Sequence, residues 1–192
     1  RDLTEDVLKE WFYYFYQCTE CRRCSVFCPY GIDTAEITIM GRELLNLLGC
    51  NINWSLEPVA NCYRTGNHLE IQPHTMKDTL EFFADDIEEA TGIRVDVPIN
   101  KKGADILLVT PSADFFAEPH VDGLIGYGKV FHEVGVSWTM SSKASEAANF
   151  GMFIGSYENM QDIAMRIRQA AEDLGVKRIV HGECGHAWRI AY

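Results

Sequence analysis

The chain has 192 residues, of which 47% are hydrophobic and 23% charged, and it carries a formal net charge of −11 at pH 7. This composition excludes a disordered tail. The acidic excess argues against a nucleic-acid partner, because such binding needs clustered positive charge. No apolar run approaches the ~18 residues of a membrane span, and no signal peptide is visible. Because the first residue is Arg1, we expect a piece of a longer polypeptide.

The first predicted element is a helix that begins at a cap on Thr4 or Asp6 and runs to about Gln17. Its apolar residues recur along one stripe, as expected of a helix that buries one face. The aromatic block WFYYFY, residues 11–16, either packs in a core or contacts a partner, and we favour the core.

A cysteine-rich run follows this helix, and four of the seven cysteines lie in it with the spacing C-x2-C-x2-C-x3-C-P. Its members are Cys18, Cys21, Cys24 and Cys28, with Pro29 directly after them. This is the spacing of bacterial ferredoxins, and it predicts a [4Fe-4S] cluster. Zinc sites usually take two separated pairs of ligands. An odd number of cysteines also excludes a complete set of disulfides within the chain.

The sequence leaves the fourth ligand of this cluster open. In two-cluster ferredoxins the last cysteine of each run binds the other cluster. A second run with the same offsets begins at Cys62, and it is either a duplicate that has lost most of its ligands or a chance similarity. Its positions are Cys62, Thr65, His68, Gln72 and Pro73. The first three cysteines of the first run are therefore firm ligands, and either Cys28 or Cys62 completes the set.

Only one cluster is secure, because two all-cysteine cubane clusters need eight thiolates and the chain has seven cysteines. A second cluster is possible if it recruits His68, Cys50 or another chain. Cys50 follows a helix-ending glycine, and we expect it to be a buried thiol, since free cysteine packs as a small hydrophobic residue.

Three further helices are predicted before residue 93. Asp33 and Glu36 form a capping-box-like start for a helix that ends at Gly49. The next helix covers about 55–66, and another follows Pro73 and ends at Gly92. We therefore expect residues 1–95 to form an α-helical ferredoxin-like module.

Residues 96–192 are predicted to form a parallel α/β domain, which makes the chain α+β overall. Residues 93–103 are interpreted as a linker or a short strand. Strands are expected at 104–110, 136–140 and 176–182, and helices at 117–134, 142–153 and 157–174. Such alternation indicates parallel strands with crossover helices. No G-x-G-x-x-G motif follows a strand, so nucleotide binding is not favoured.

The richest strand exit is the segment 181–186, HGECGH. Ligands gather beyond the carboxyl ends of strands in open α/β sheets. Cys184 is expected near a helix N-terminus, which lowers the pKa of a thiol, and His186 lies two residues on. Cys184 and His186 are our candidate catalytic residues, and the alternative is a buried thiol beside a surface histidine. Because about ninety residues separate Cys184 from the linker region, we expect Cys184 to lie away from the cubane cluster.

The stretches CPYG, CYRTGNH and GECGHAWR resemble iron-sulfur proteins of the HdrD-like family, which is named after heterodisulfide reductase. Family members carry a C…CC-G…C-x-x-C pattern that holds a non-cubane [4Fe-4S] cluster. This chain departs from the pattern at Ser112, at Asn149 and at Ala187, so the resemblance implies a degenerate cysteine-rich CCG-type repeat. A further repeat after Tyr192 would then hold the non-cubane cluster, with Cys184 and His186 facing it.

The resemblance implies electron transfer between a membrane-anchored quinol-oxidising subunit, with other redox subunits, and a small sulfur-carrier protein as disulfide or trisulfide substrate. It also implies a cytoplasmic subunit, peripheral on the cytoplasmic face of the membrane. Two other functions stay open. One is an iron-sulfur subunit of a lactate, glycolate or glycerol-3-phosphate oxidation system, and the other is a purely structural cluster module.

Overall fold

The computed structural model describes residues 3–146, 149–182 and 185–191. Helices dominate the N-terminal half. Their bounds are α1 Glu5–Gln17, α2 Arg23–Phe27, α3 Thr34–Leu47, α4 Asn53–Thr65 and α5 Pro73–Thr91.

Side-chain caps and glycines set the ends of these helices, much as the sequence predicts. The Thr4 hydroxyl accepts a hydrogen bond from the Val7 N–H at the start of α1, and Asp33 caps α3 through the Glu36 N–H. Helices α4 and α5 end at Gly66 and Gly92, which have φ of 83° and 70°. The aromatic stripe of α1 differs from its prediction, because no residue of this helix is fully buried.

The C-terminal half contains the predicted parallel sheet. Its strands are β1 Ile106–Val109, β2 Trp138–Thr139 and β3 Arg178–His181, in the spatial order β2-β1-β3. A 3-10 turn at Ser112–Phe115 follows β1, and the helices are α6 His120–Glu133, α7 Asn149–Ile154, α8 Tyr157–Leu174 and α9 Gly185–Ala191.

The two faces of the sheet are covered by different helices. Leu108 and Trp138 pack with Leu80 of α5 and Leu124 of α6. Neighbouring residues of β1 point the other way, as expected of a strand, and Leu107 packs with a row of small and apolar residues of α8. A strand buried on both faces explains the continuous apolar run 106–109.

The N-terminal helices and the sheet share their cores. Helix α5, assigned to the first predicted module, packs against the sheet. Conversely, Ile39 of α3 and Cys62 of α4 share a core with Met152, Met160 and Ile163 of α7 and α8. The mixed helix-and-sheet class is confirmed. The division at residue 95, the ferredoxin-like module and the CCG-type repeat stay predictions.

Of the predicted helix over 142–153, the described residues are helical from Asn149, and residues 147 and 148 lie outside them. Before it, Ser142 and Asn100 exchange two hydrogen bonds, of 2.9 and 3.0 Å, and the Ser141 hydroxyl accepts from the Lys143 N–H at 3.1 Å. Serine side chains that bind nearby backbone groups compete with helix formation, which explains the late start.

No helix within the described residues is both long enough and apolar enough to cross a lipid bilayer.

Candidate iron-sulfur site

The first cysteine run forms a surface loop between α1 and α3. Cys18 directly follows α1, and Cys28 directly follows the short helix α2. Cys21 and Cys24 are exposed, whereas Cys18 and Cys28 are half-buried. The run thus lies at the protein surface.

A hydrogen-bond donor is directed at each of the four sulfurs. The N–H groups of Glu20 and Ile32 donate to Sγ of Cys18 and Cys28, each at 3.4 Å, and the Thr34 hydroxyl donates to Sγ of Cys24. The pKa of the Cys21 thiol lies below its usual value. The main cause is a hydrogen bond from the Arg23 N–H, and the second is one from the Thr19 hydroxyl. Such donors stabilise thiolates and tune iron-sulfur clusters.

The backbone conformation of this loop also favours binding of a negatively charged group. Glu20 and Arg22 have φ of 55° and 58°, in the left-handed region that non-glycine residues rarely occupy. Alternating left- and right-handed residues turn successive N–H groups to one side, which makes a concave site for anions. A cluster bound by four thiolates is such an anion.

The donor set therefore fits an iron-sulfur cluster by its chemistry. Within residues 3–146, 149–182 and 185–191, however, no three His, Cys, Asp or Glu side chains converge as a metal site. The ligand assignment accordingly depends on the spacing of the cysteines and on the donors directed at their sulfurs.

Asp33 ties the loop to the start of α3. The Ser25 hydroxyl donates to it at 2.7 Å, Arg22 pairs with it, and its side chain also caps α3. The Ser25 hydroxyl and the Arg22 guanidinium lower the pKa of Asp33 to about 2.

The beginning of α9 lies against the same loop. The His186 ring nitrogen Nε2 is 2.7 Å from the Thr19 carbonyl oxygen, and Arg189 pairs with Glu20 at 3.2 Å. A cavity of about 530 Å³ is lined by residues of both segments, among them Cys21 and Arg22 of the loop and Gly185, His186 and Trp188 of α9. Helix α9, which follows β3, thus brings His186 to the cysteine loop. Glu183 and Cys184 lie outside the described residues.

Two curated relatives resemble this chain over 98% of its length. The iron-sulfur subunit 2 of an Hdr-like menaquinol oxidoreductase of Archaeoglobus fulgidus is 48% identical over 193 residues, and the iron-sulfur subunit of an Hdr-like menaquinol oxidoreductase of Archaeoglobus profundus is 46% identical over 193 residues. The chain is a homologue of Hdr-like iron-sulfur subunits. It spans about a third of their length, 35% and 34% respectively. No family model matches the chain, and no solved structure is significantly similar to it.

This similarity supports the Hdr-like iron-sulfur subunit family that the sequence motifs indicate. It covers both cysteine runs and the α/β part together, because the alignment extends over nearly all of the chain. A catalytic role of Cys184 and His186 stays a prediction.

The second run is built differently from the first. Cys62 is 1% exposed, in the core shared by α3, α4, α7 and α8. The Thr65 hydroxyl donates to the Asn61 carbonyl oxygen of its own helix at 3.1 Å, and Gln72 is the N-cap residue of α5. Whether Cys28 or Cys62 completes the ligand set stays open. Cys50 was predicted to be buried but is only half-buried.

His68 takes part in a polar cluster at the carboxyl edge of the sheet. Its Nδ1 lies 2.6 Å from Oε1 of Glu146 and 2.9 Å from the Ser112 hydroxyl, and Glu146 and Ser112 are almost fully buried. Both partners meet the same ring nitrogen, whereas a Ser-His-acid triad uses the two ring nitrogens separately. These hydrogen bonds among His68, Glu146 and Ser112 therefore stabilise the fold at this edge of the sheet.

Sequence reasoning missed the buried charges behind the cysteine loop. Arg42 and Glu20 are each 3% exposed. Arg42 lies on the buried face of α3 between Ile39 and Leu45. A charged residue at helical spacing within an apolar face is the signal that could have found it. Nothing in the sequence marks Glu20, because its burial depends on α9.

Proposed function

We propose that this chain is the cluster-carrying part of an iron-sulfur subunit in a membrane-linked, disulfide-reductase-like complex of sulfur metabolism. It would resemble the protein DsrK, with a DsrC-like carrier protein as disulfide or trisulfide substrate. The names of the relatives support a redox iron-sulfur subunit linked to menaquinol. The observation that carries the proposal is the surface run Cys18–Cys28, with a donor directed at each sulfur.

The cofactor of this proposal is one [4Fe-4S] cluster held by the first run, and a bound cluster supplies one-electron transfer. The chain's own groups hold and shield the thiolates: N–H donors at Glu20, Arg23 and Ile32 offset their negative charge. The non-cubane cluster belongs to the part of the subunit outside this chain.

The electron balance closes with one quinol for a disulfide, and with two quinols for a trisulfide, which takes four electrons and four protons to give two thiols and hydrogen sulfide. Oxidation of a quinol to a quinone releases two electrons and two protons. Cleavage of one disulfide into two thiols consumes two electrons and two protons. The proposed partners are thus a membrane-anchored quinol-oxidising subunit, with other redox subunits, and the sulfur-carrier protein, with the subunit peripheral on the cytoplasmic face of the membrane.

Exposed apolar residues beside the loop support contact with a redox partner. Val26, Phe27 and Tyr30 are 77%, 78% and 86% exposed. Large apolar groups clustered in this way mark interaction surfaces. Such a surface next to the cysteines would bring a partner's redox group close to the cluster.

The test is anaerobic turnover of the full-length subunit in its complex. A reduced menaquinone analogue is the donor, and the carrier protein in its disulfide form is the acceptor. We expect the visible absorbance of the cluster to change with the donor and thiols to appear on the carrier. Cluster reduction by lactate, glycolate or glycerol-3-phosphate systems, with no thiol formed on the carrier, would instead support the alternative function.

A contact variant sharpens this test. Phe27→Ser should slow electron exchange between the subunit and its quinol-linked partner while the cluster spectrum stays unchanged. Phe82→Ser on α5, where the side chain is 61% exposed, is the matched control and should not slow it. Equal rates in both variants would remove the partner surface from the account.

A further inference from the structure

A buried arginine connects the first cysteine of the run to the core of the protein. The Arg42 guanidinium donates through Nε and Nη2 to the Phe15 carbonyl oxygen at 3.0 and 2.9 Å, and Nη2 also donates to the Cys18 carbonyl oxygen. Arg42 itself is 3% exposed. It thus joins the last turn of α1 to the residue that begins the run.

Close packing fixes Arg42 in this place. A Cβ at Gly155, whose φ is 72°, would come within 2.2 Å of Cβ of Arg42, and a Cβ at Gly41 would come within 2.5 Å of the Phe15 ring. Two glycines therefore let the segment after α7 and the end of α1 approach α3 closely. Nη1 of Arg42 also reaches the Met152 carbonyl oxygen at 3.5 Å.

The charges around Arg42 are two guanidinium groups and two carboxylates, so that they balance. Glu20 lies 4.0 Å from Arg42 and 3.2 Å from Arg189, so two guanidinium groups share one buried carboxylate. Arg189 reaches the partly exposed Glu36 at 3.5 Å. The centre of the Tyr16 ring lies 5.3 Å from the Arg42 guanidinium carbon. Tyr16 adds no negative charge, because its pKa is raised, mainly by burial.

A buried charge is costly unless its hydrogen bonds are satisfied. Arg42 makes these bonds to backbone carbonyls, which compensate its donors without neutralising its charge. Electrostatic interactions are also less screened in a buried site than in water. Negative charge that develops at the cysteine loop would therefore be stabilised by this guanidinium.

We propose that Arg42 is a positioning residue of the cluster: it fixes Cys18 through the carbonyls of Phe15 and Cys18, and its fixed charge raises the reduction potential. This rests on the proposed cluster, but neither on the sulfur substrate nor on the quinol partner. Arg42 touches no reacting atom in this account, because it acts through the backbone of the loop and through its field.

The experiment measures iron content, the EPR spectrum of the reduced state and the midpoint potential of the full-length protein, purified anaerobically. Arg42→Met removes both the charge and the donors. Arg42→Lys keeps the charge but loses the planar fork of donors. Arg94→Met is the control, because Arg94 is a surface arginine that pairs with Asp85 and Glu88.

We expect Arg42→Met to lower the equilibrium constant for one-electron reduction about tenfold, which is about 59 mV for one electron. Arg42→Lys should keep the potential but lose part of the iron, and Arg94→Met should match the unmodified protein in both. Wild-type potential and iron content in Arg42→Met would overturn the proposal.

If Arg42→Met fails to fold, Arg42→Lys decides the positioning role, and full iron content with an unchanged EPR line shape in that variant would overturn it. For the charge, Arg189→Met removes the neighbouring guanidinium, so that Glu20 draws more on Arg42. Its potential should then fall, and an unchanged value would contradict the electrostatic part. An unmodified protein without iron and sulfide would instead contradict the cluster itself.

Discussion

The two runs of the chain share their offsets but have different structures. In the first run, residues 18–22 form a surface loop with left-handed backbone at Glu20 and Arg22, and Cys24 lies on the short helix α2. In the second, helix α4 extends through Thr65, so Cys62 and Thr65 lie one turn apart on a regular helix with Cys62 in the core. A regular helix cannot wrap one face of a cluster. The same spacing thus begins in an exposed loop in the first run and inside a long helix, with its cysteine in the core, in the second.

The hydrogen-bond partners of the two runs also differ. Around the first run, backbone and hydroxyl donors face sulfur atoms. Around the second, His68 bonds to Glu146 and Ser112, so this position serves the edge of the sheet. If the second run is a duplicate, its polar positions have become structural.

The largest expected effect separates the runs at the same offset. Cys21→Ser should abolish the cluster and destabilise the neighbouring helices, because metal binding is coupled to folding. Thr65→Ser, at the equivalent position of the second run, should keep full iron content. Iron analysis and EPR of the reduced proteins check both, and an intact signal in Cys21→Ser would contradict the ligand assignment.

The next effect concerns the fourth ligand. We expect Cys28→Ser to lose or alter the cluster, since Cys28 lies in the loop with an N–H directed at its sulfur. Cys62→Ser should keep the EPR signal but lower the free energy of unfolding by about 1–3 kcal/mol, because a hydroxyl replaces a thiol in an apolar core. Loss of the signal in Cys62→Ser, with Cys28→Ser normal, would reverse this assignment. Changes in both variants would indicate two cluster sites.

Packing behind the first run can be tested at glycine. Gly155→Ala should cost roughly 2–3 kcal/mol of the free energy of unfolding, since it combines left-handed backbone with a clash against α3. Gly135→Ala has a similar φ of 67° with no atom near the added Cβ, and it should cost about 1 kcal/mol. Chemical denaturation measures both, and equal losses would mean that the contact with Arg42 is unimportant.

The smallest effects are opposite pH dependences near the two runs. The pKa of Asp33 is lowered to about 2, so its stabilising contribution is present above its unfolded value near 4 and is lost as pH falls toward 2. The pKa of Asp114 is raised to about 6, mainly by burial. His120 lowers this pKa and the charge of Glu146 raises it further. The native state then holds the Asp114 proton longer, so this residue lowers stability as pH rises from about 4 to 6.

Asparagine variants check these signs. Asp33→Asn should lower the free energy of unfolding at pH 7 and lose that effect near pH 2. Relative to the unmodified protein, Asp114→Asn should have a higher free energy of unfolding at pH 7 than at pH 4. Unfolding free energies measured across this range decide it. The same pH trend in both variants would contradict the assignment.

Local signals made much of the fold predictable. Caps at Thr4 and Asp33 and glycines such as Gly92 fix helix ends within a turn, and the apolar run 106–109 predicts a buried strand. The short helix α2 escaped prediction, and of α9 only a helix N-terminus near Cys184 was expected. They depend on the cysteine loop and on tertiary contacts such as His186 with Thr19, which no local pattern encodes.

Of the candidate site, only the cysteine ligands could be predicted from the sequence. Cysteine spacing identifies the first run, because cluster geometry constrains residues close together in sequence. The surrounding charges come from three distant segments: Glu20 in the loop, Arg42 in α3 and Arg189 in α9. These segments meet because α9 folds back onto the loop, a tertiary contact that no local pattern encodes.

The central claim is that the first run, and not the second, carries an iron-sulfur cluster. Iron and acid-labile sulfide analysis of anaerobically purified full-length protein, together with EPR of its reduced state, tests this most directly in a form in which Cys62, Thr65, His68 and Gln72 are all replaced by alanine. The account predicts about four iron and four sulfide per first run, with an EPR signal that matches the unmodified protein. Loss of that signal from folded protein, or zinc in place of iron in the unmodified protein, would contradict it.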